Sequence, residues 1–272
     1  MSGLIADNAL LKAKAKEMRR MVLEMIHRAK AQHIGCSFSE MEILVTLYYA
    51  VMNIDPYNPK EEDRDRFILS KGHGVSAVYA ILADRGFFPK EYLSTYYQDG
   101  STLAGHIVRD CVPGAETSNG SGGHGLSLGI GMALAARRKR SPARTFVLMG
   151  DGELQEGSVW EGITFAAFHK IGGLTLIIDK NELQIMGRTT EVLNMDPFED
   201  KFKSFGWHVI TLDGNDTGAL LHAFRENTFD KPKVIIAHTI KGKGVSFIEN
   251  RVEWHGKYPD EEQYRRALQE LI

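Results

Sequence analysis

The stretch Phe146-Val147-Leu148-Met149-Gly150-Asp151-Gly152 sets the fold of this chain. An apolar run ends in an acidic residue between two glycines. About 30 residues later a second apolar run, 174–178, ends in Asp179-Lys180-Asn181. Each run has the length and composition of a buried β-strand. If the two strands are parallel, Asp151 and Asn181 follow the same edge of one sheet, where such sheets gather their ligands.

These two strand ends offer oxygen ligands to a hard cation. The carboxylate of Asp151, the carboxamide of Asn181 and a free main-chain carbonyl just beyond it would supply three of them. Mg²⁺ favours such sites, completing its octahedron with phosphate oxygens and water. A Gly-Asp-Gly triplet alone is most often a turn, so the metal interpretation depends on the paired asparagine after the second strand.

The rest of the chain alternates apolar strands with helical patterns. Apolar rather than alternating strands, separated by helices, indicate a parallel sheet that is covered on both faces. We therefore predict an α/β fold with a doubly wound, mostly parallel sheet, in a single domain over 1–272. Strands are expected at 66–70, 146–149, 174–178, 206–210 and 233–237, and helices at 10–31, 40–52, 75–85, 126–140, 217–228 and 264–272, with a weaker helix at 90–97 and an irregular functional loop at 105–125.

Composition excludes several classes of protein. The 272 residues carry 33 Lys and Arg against 35 Asp and Glu, so there is no basic field to attract nucleic acid. No apolar run approaches the roughly 20 residues that span a bilayer, and no secretory leader is recognisable. Two isolated cysteines, Cys36 and Cys111, fit no disulfide framework or metal spacing. We expect a cytoplasmic protein with neither nucleic acid nor membrane as a partner.

The segment Gly120-Ser121-Gly122-Gly123-His124-Gly125 formally matches the dinucleotide fingerprint Gly-x-Gly-x-x-Gly. A dinucleotide fingerprint follows a strand and has an acidic residue about 20 positions after it. Residues 113–119 precede the segment, and Arg144-Thr145-Phe146 lies at the required distance. The sequence therefore argues against a nicotinamide site.

Histidines at glycine-flanked loop positions are candidates for catalysis. A single loop histidine is usually a surface or packing residue, but His33, His73, His106 and His255 all occupy strand ends or loops. An imidazole can donate to a developing oxyanion or shuttle a proton. Together the four indicate a reactive site at the same edge of the sheet as Asp151.

The metal motif resembles that of thiamine-diphosphate enzymes, and the following Glu153-Leu154-Gln155-Glu156-Gly157 is similar to the transketolase family. The resemblance implies thiamine diphosphate with Mg²⁺ (or Ca²⁺ or Mn²⁺), held by Asp151, Asn181 and the carbonyl of Leu183. It implies catalytic roles for His33, His73, His106 and His255. It also implies cofactor contacts from His73, Gly123, Gly150, Asp151, Gly152, Glu153, Asn181 and His255.

Further matches extend the resemblance over the whole chain. His33-Ile34-Gly35, the strand-end His73, Gly105-His106 and Trp254-His255-Gly256 are similar to the family's histidine motifs. The family implies that His33, His73 and His106 face the reacting carbons and that His255 meets the diphosphate or the donor hydroxyls. It also places the acid matching Glu156 at a subunit contact, although Glu156 and Glu161 would equally complement a helix N-terminus.

The family also has a pyrimidine-binding domain and a C-terminal domain, which the sequence does not contain. The resemblance thus implies the diphosphate-binding subunit of a split transketolase, which moves a two-carbon ketol unit from a ketose donor to an aldose acceptor. We expect it to act only with a partner subunit carrying the other domains, as an α₂β₂ assembly with small sugar substrates.

Departures from the family pattern leave two alternatives open. Gly122 and His124 replace a leucine and a glutamine of the family motif, Ile34 replaces a proline, and Ile107-Val108 replaces Pro-Glu. The first alternative is a subunit of an acyl-transferring enzyme like deoxyxylulose-phosphate synthase, with pyruvate as donor. The second is a binding or regulatory paralogue without catalysis.

Overall fold

A computed structural model describes residues 4–5, 7–228 and 230–272. The strands are β1 (Arg66–Leu69), β2 (Thr145–Gly150), β3 (Leu174–Lys180), β4 (Leu183–Gln184), β5 (Gly187–Arg188), β6 (His208–Asp213) and β7 (Lys233–His238). The helices are α1 (Asn8–Ala29), α2 (Ile34–Ser39), α3 (Met41–Thr46), α4 (Val75–Asp84), α5 (Gly125–Lys139), α6 (Gly157–Phe168), α7 (Thr189–Leu193), α8 (Phe198–Ser204), α9 (Thr217–Arg225) and α10 (Glu261–Glu270).

Within the described residues, five parallel strands form the central sheet in the order β1-β2-β3-β7-β6. The register pairs Gly150 with Asp179, so the metal motif and the second acidic strand end lie side by side. A separate hairpin pairs β4 with β5 in antiparallel fashion directly after Asn181.

Both faces of the sheet are buried. Alternate residues of β2 point to opposite sides: Phe146 and Leu148 join the core under α1, α3, α4 and α9, whereas Val147 and Met149 join the core under α5, α6 and α8. Strand side chains point alternately to the two faces, which explains why these strands are apolar throughout. The predicted α/β class, with a mostly parallel sheet between two layers of helices, is confirmed.

The helix predicted over 40–52 begins as expected, at Met41, but differs in form, and the helix before it, α2, was not predicted. α2 begins at Ile34, directly after His33, and α3 passes into a π-helical turn at Leu47–Val51. The predicted helix at 90–97 is a 3-10 turn over Lys90–Thr95, and α9 ends at Arg225 rather than 228. The β4–β5 hairpin, α7 and α8 were not anticipated, because each is too short to show a periodic pattern.

Among the described residues, no helix combines the length and the apolarity that crossing a bilayer requires. The feature that matters for function is the edge formed by the carboxyl ends of β1, β2, β3 and β7. Four chain segments leave the sheet there, and each carries polar side chains.

Candidate functional site at the carboxyl edge of the sheet

Asp151 and Asn181 are connected by the main-chain N–H of Glu182, the residue after Asn181. The Asp151 carboxylate accepts hydrogen bonds from Gly152 N (2.9 Å) and from Glu182 N (2.7 Å). Asn181 Oδ1 accepts from Leu183 N at 3.1 Å, and Glu182 takes a left-handed conformation with φ 62°. The turn after Asn181 is therefore held against the Asp151 carboxylate, and the two predicted ligands lie at neighbouring strand ends, as the strand register requires. Both side chains are buried.

The carbonyl of Leu183 completes the predicted ligand set. It accepts a hydrogen bond from the buried ammonium of Lys241 at 2.8 Å, and Lys241 Nζ also lies 3.3 Å from His255 Nδ1. Among the described residues, no group of three His, Cys, Asp or Glu side chains is arranged to hold a metal alone. A metal here would depend on the amide and carbonyl oxygens, which suits Mg²⁺ or Ca²⁺ rather than zinc.

Burial and the neighbouring Asp179 raise the pKa of Asp151 to about 7, against the two main-chain donors. A nearby cation stabilises the ionised form of such a buried carboxyl. The electrostatics of this turn thus fit a carboxylate that binds a metal, although structural acids can show the same shift.

A buried ion network lies beneath this turn. Asp179 accepts hydrogen bonds from Ser39 Oγ (2.6 Å), Thr239 Oγ1 and Lys71 Nζ. Lys71 Nζ also lies 3.0 Å from Glu40, whose two carboxylate oxygens are buried without a hydrogen-bond partner. Burial opposes the charge on Lys71, but Asp179 and Glu40 outweigh it and raise its pKa. The network therefore places a permanent cation below the cavity.

The four predicted histidines form one cluster. The ring of His33 lies 5.2 Å from the rings of His73 and His255 and 5.7 Å from that of His106, measured between centroids. His73 and His255 are 5.3 Å apart. Residues separated by more than 200 positions thus converge, as the glycine-flanked pattern predicted. Whether they act in catalysis stays a prediction.

Close backbone contacts bring these loops together. His33 caps α2 in the left-handed region (φ 73°), and its N–H donates to the carbonyl of His255 at 3.1 Å. At Gly72 a Cβ atom would lie 2.0 Å from the carbonyl oxygen of Asn119, so only glycine permits this approach. The segment with His106 is held here too, because Ile107 N donates to Gly72 O at 3.3 Å.

Two of the four imidazoles, His33 and His106, have lowered pKa values, which favour their neutral form. Burial, reinforced by His73, lowers the pKa of His33 to about 4, and the same two causes lower that of His106. Cys36 lies within the cluster, with its Sγ 3.9 Å from His255 Nδ1. Burial opposes ionisation of this thiol, but Lys241 and His73 lower its pKa well below the usual value.

A cavity of about 210 Å³ joins the two halves of the site. His33 and His106 do not line it and reach it through ring contact with other members of the cluster. The residues that line it include Cys36, Lys71, His73, Gly122, Gly150, Asp151, Gly152, Glu153, Asn181, Leu183, Lys241 and His255.

Sequence reasoning missed Lys71, Lys241 and Cys36 in this cavity wall. A signal existed for both lysines, since Lys71 follows the end of β1 by two residues and Lys241 follows the end of β7 by three. Strand ends of a parallel sheet are where ligand-binding side chains gather. Cys36 lies inside a helix and gave no such signal.

Gly123, Glu153, Glu156 and Glu161 occupy different surroundings. Gly123 is buried with φ 83°, and its N–H donates to Glu153 Oε1 at 2.8 Å. Glu156 is the N-cap of α6 and Glu161 lies in its second turn, and both are exposed. The predicted link of Glu156 to a subunit contact is compatible with this exposure and remains a prediction.

Comparison with known proteins identifies the family of this chain. Residues 11–271 match the family model described as transketolase, thiamine diphosphate binding domain. The chain belongs to the transketolase family. The match covers the whole sheet, from α1 to α10.

Two relatives have a similar length. The chain is 41% identical over 263 residues to an apulose-4-phosphate transketolase subunit of Phocaeicola vulgatus, covering 96% of this chain and 93% of that protein. It is 40% identical over 263 residues to the 6-deoxy-6-sulfo-D-fructose transketolase subunit SqwG of Clostridium sp. strain MSTE9, covering 96% of each.

A solved transketolase from Leishmania mexicana superimposes with a TM-score of 0.91 at 29% identity. The superposition covers 96% of this chain but only 41% of that one. The chain therefore corresponds to the thiamine-diphosphate-binding portion of this longer transketolase.

Proposed function

We propose that this chain is the diphosphate-binding subunit of a two-component transketolase, which transfers a two-carbon ketol unit from a ketose to an aldose. One observation carries the proposal: a single cavity is lined by Asp151, Asn181 and Leu183 and by two histidines, His73 and His255. Their rings contact His33, which in turn contacts His106. The turn suits a metal and a diphosphate, and the cluster suits a polyhydroxylated substrate.

The donor set fits thiamine diphosphate with Mg²⁺. Asp151, Asn181 and the Leu183 carbonyl would hold the metal, and Gly150, Gly152 and His255 would border the diphosphate. Lys241, whose Nζ lies 2.8 Å from the Leu183 carbonyl, lines the same wall and would offer a cation to an anionic group. When bound, the cofactor would supply the nucleophilic carbon that ketol transfer needs.

The histidines would bind and orient the sugar. A neutral imidazole donates one hydrogen bond and accepts another, so His33, with its lowered pKa, can bind a hydroxyl without carrying a charge. The rings of His73 and His106 both contact the ring of His33, and these two residues would contact the same substrate. His255 lies nearest the diphosphate end, because Lys241 connects it to Leu183.

Two observations support a separate partner protein. Relatives of matching length are named as subunits of a transketolase, while the Leishmania transketolase is more than twice as long. The cavity is also smaller than the roughly 300–1,000 Å³ of sites that enclose a whole ligand, and its volume suits one end of the cofactor. We propose that the partner carries the pyrimidine-binding and C-terminal domains in an α₂β₂ assembly in the cytoplasm.

The test is reconstitution with that partner, the product of a coding sequence expected beside this one. Neither protein should give ketol transfer by itself. The mixture should transfer from ketose phosphates, and transfer should depend on Mg²⁺ and thiamine diphosphate. Full activity of this chain without a partner would refute the split assignment.

The donor assay also separates the alternatives. Turnover with pyruvate instead of ketoses would identify an acyl-transferring enzyme related to deoxyxylulose-phosphate synthase. Binding of the cofactor without turnover of either donor would identify a non-catalytic paralogue. The names of the relatives of matching length favour a ketose donor, and they also show that the sugar differs between relatives.

A further inference from the structure

One carboxylate connects three segments of the site. Glu153 Oε1 accepts hydrogen bonds from Ser70 Oγ at 2.7 Å and from Gly123 N at 2.8 Å. Glu153 Oε2 accepts from Gly150 N at 2.9 Å. Ser70 directly follows β1, Gly123 lies in the glycine-rich loop, and Gly150 ends β2. A single side chain thus joins two strand ends to a loop that lacks regular structure.

The connection continues into α5. Ser70 Oγ donates to Glu153 and accepts a hydrogen bond from Gly125 N, the first residue of α5, at 3.2 Å. Gly125 packs so closely here that a Cβ atom would lie 2.4 Å from Ser70 Cβ. Glu153 therefore holds the glycine-rich loop at Gly123 directly and at Gly125 through Ser70.

This loop needs an external anchor. Gly122 and Gly123 have no side chains to pack, and glycine loses more conformational freedom on ordering than any other residue. Removing the Glu153 carboxylate would leave the N–H groups of Gly123 and Gly150 without their acceptor, and a buried donor without an acceptor is destabilising. Glu153 thus supplies the acceptor that anchors this loop at Gly123.

The contacts also bear on the predicted role of Glu153 as a direct cofactor ligand. Both of its oxygens accept from protein donors, and a carboxylate would repel a diphosphate. Gly122 lines the cavity next to Glu153, and its Cα lies close enough that a Cβ would contact Glu153 Cγ at 3.4 Å. Glu153 would therefore affect a bound ligand by positioning this loop.

We propose that Glu153 is a positioning residue, which fixes the Gly122–Gly123 loop against the metal-binding turn and thereby sets affinity for the organic part of the cofactor. The proposal rests on the function proposed above. It separates two roles in adjacent positions: Asp151 binds the metal, and Glu153, two residues later, shapes the wall that the rest of the cofactor meets.

Hydrogen exchange tests the loop directly and requires no catalysis. In Glu153→Ala, amides in a peptide covering 119–126 should exchange at least ten times faster, with peptides from β3 and β7 unchanged. Glu153→Gln keeps one oxygen acceptor and should give a smaller, roughly threefold increase. Glu262→Ala, at an exposed acid of α10, serves as the matched control and should leave the 119–126 peptide unchanged.

Cofactor binding in the reconstituted complex gives the second measurement. Glu153→Ala should weaken thiamine diphosphate about tenfold, whereas Mn²⁺ affinity, measured by electron paramagnetic resonance, should stay within twofold. A structural role alone would accelerate exchange throughout the chain and weaken both ligands equally, and that pattern would overturn the proposal. Unchanged exchange at 119–126 in a folded Glu153→Ala would overturn it as well.

Two further outcomes also test the proposal. If Glu153→Ala does not fold, the exchange measurement is made on Glu153→Gln, and unchanged exchange at 119–126 in that variant counts against the proposal. If the wild-type complex binds no thiamine diphosphate, the proposed function fails, whereas the exchange measurement still shows whether Glu153 holds the loop.

Discussion

The two halves of the site are built in different ways. The metal half, around Asp151, Asn181 and Leu183, consists of strand ends and main-chain hydrogen bonds within one turn. The histidine half consists of side chains from four separate loops, with rings 5.2–5.7 Å apart. The first half is determined by the sheet register. The second depends on several close approaches of the backbone.

This difference matters for how each half responds to change. Main-chain donors hold Asp151 in place whatever the surroundings, so altering its side chain should remove function and leave the fold intact. The histidine cluster has no such frame. Small changes at the contacts between its loops, far from any reacting atom, should disturb it.

The largest expected effect comes from the metal half. Asp151→Asn keeps the shape of the side chain but removes the charge that would bind the metal. We expect ketol transfer by the reconstituted enzyme to fall at least about 1,000-fold, with thiamine diphosphate affinity reduced at least 100-fold. Titration calorimetry and a coupled assay measure both.

The unfolding temperature of Asp151→Asn should not fall, because the wild-type side chain is a buried acid whose pKa is raised to about 7 by burial and Asp179. Asp213→Asn, at an exposed position, is the control for both measurements. Retention of cofactor affinity in Asp151→Asn would show that the metal half does not bind the cofactor as proposed.

The histidine half should lose rate rather than cofactor. We expect His33→Asn to lower kcat about 100-fold, within the range for a group that assists proton transfer, and to change thiamine diphosphate affinity less than twofold. Because burial and His73 lower the pKa of His33 to about 4, kcat should show no titration from this residue between pH 5 and 8. His222→Asn, on the exposed face of α9, is the comparison variant.

The contact between loops gives a third test. Gly72→Ala places a Cβ 2.0 Å from the Asn119 carbonyl, so the 105–125 segment must shift. We expect a loss of about 1–3 kcal/mol in the free energy of unfolding, measured with urea, and a larger loss of kcat than of cofactor affinity. Gly131→Ala is the control, since open space surrounds it on α5 and alanine should stabilise that helix.

The smallest effect concerns the network beneath both halves. Burial raises the pKa of Glu40 to about 8, against the pull of Lys71. The folded chain then keeps a proton that the unfolded chain releases above about pH 4.5, so rising pH between those values favours unfolding. Glu40→Gln lacks this proton and should gain stability relative to wild type from pH 5 to pH 8.

Urea titrations at both pH values measure this difference for Glu40→Gln. Glu262→Gln, at an exposed position, should show no such change relative to wild type. A constant difference between Glu40→Gln and wild type across the range would show that Glu40 is ionised throughout.

The same contrast explains what the sequence could predict. The apolar runs before Gly150 and Asp179 identify neighbouring parallel strands, and their ends place Asp151 and Asn181 together without any tertiary information. The confirmed fold class follows from the same runs. The extent of α2 does not, because Gly35 is a poor helix former in isolation.

Tertiary contacts decide that helix instead. A Cβ at position 35 would lie 3.2 Å from Lys241 Cγ and 3.3 Å from the carbonyl of Trp254, so the glycine serves packing against a loop some 200 residues away. The same long-range contact brings Lys241 to Leu183. Local patterns contain no information about such pairs. The strand-end positions of the two lysines were a signal, but their contacts with Asp179 and Leu183 could not be predicted.

The turn between the two metal-type ligands leaves one side chain without a role in the site. Glu182 contributes its N–H to Asp151, while its side chain is 49% exposed and lies 3.8 Å from Arg188. A cysteine introduced there in a Cys36→Ser, Cys111→Ser background would carry a fluorophore within a few bonds of the metal turn. The backbone geometry that builds the site thus also provides a place from which to observe it being filled.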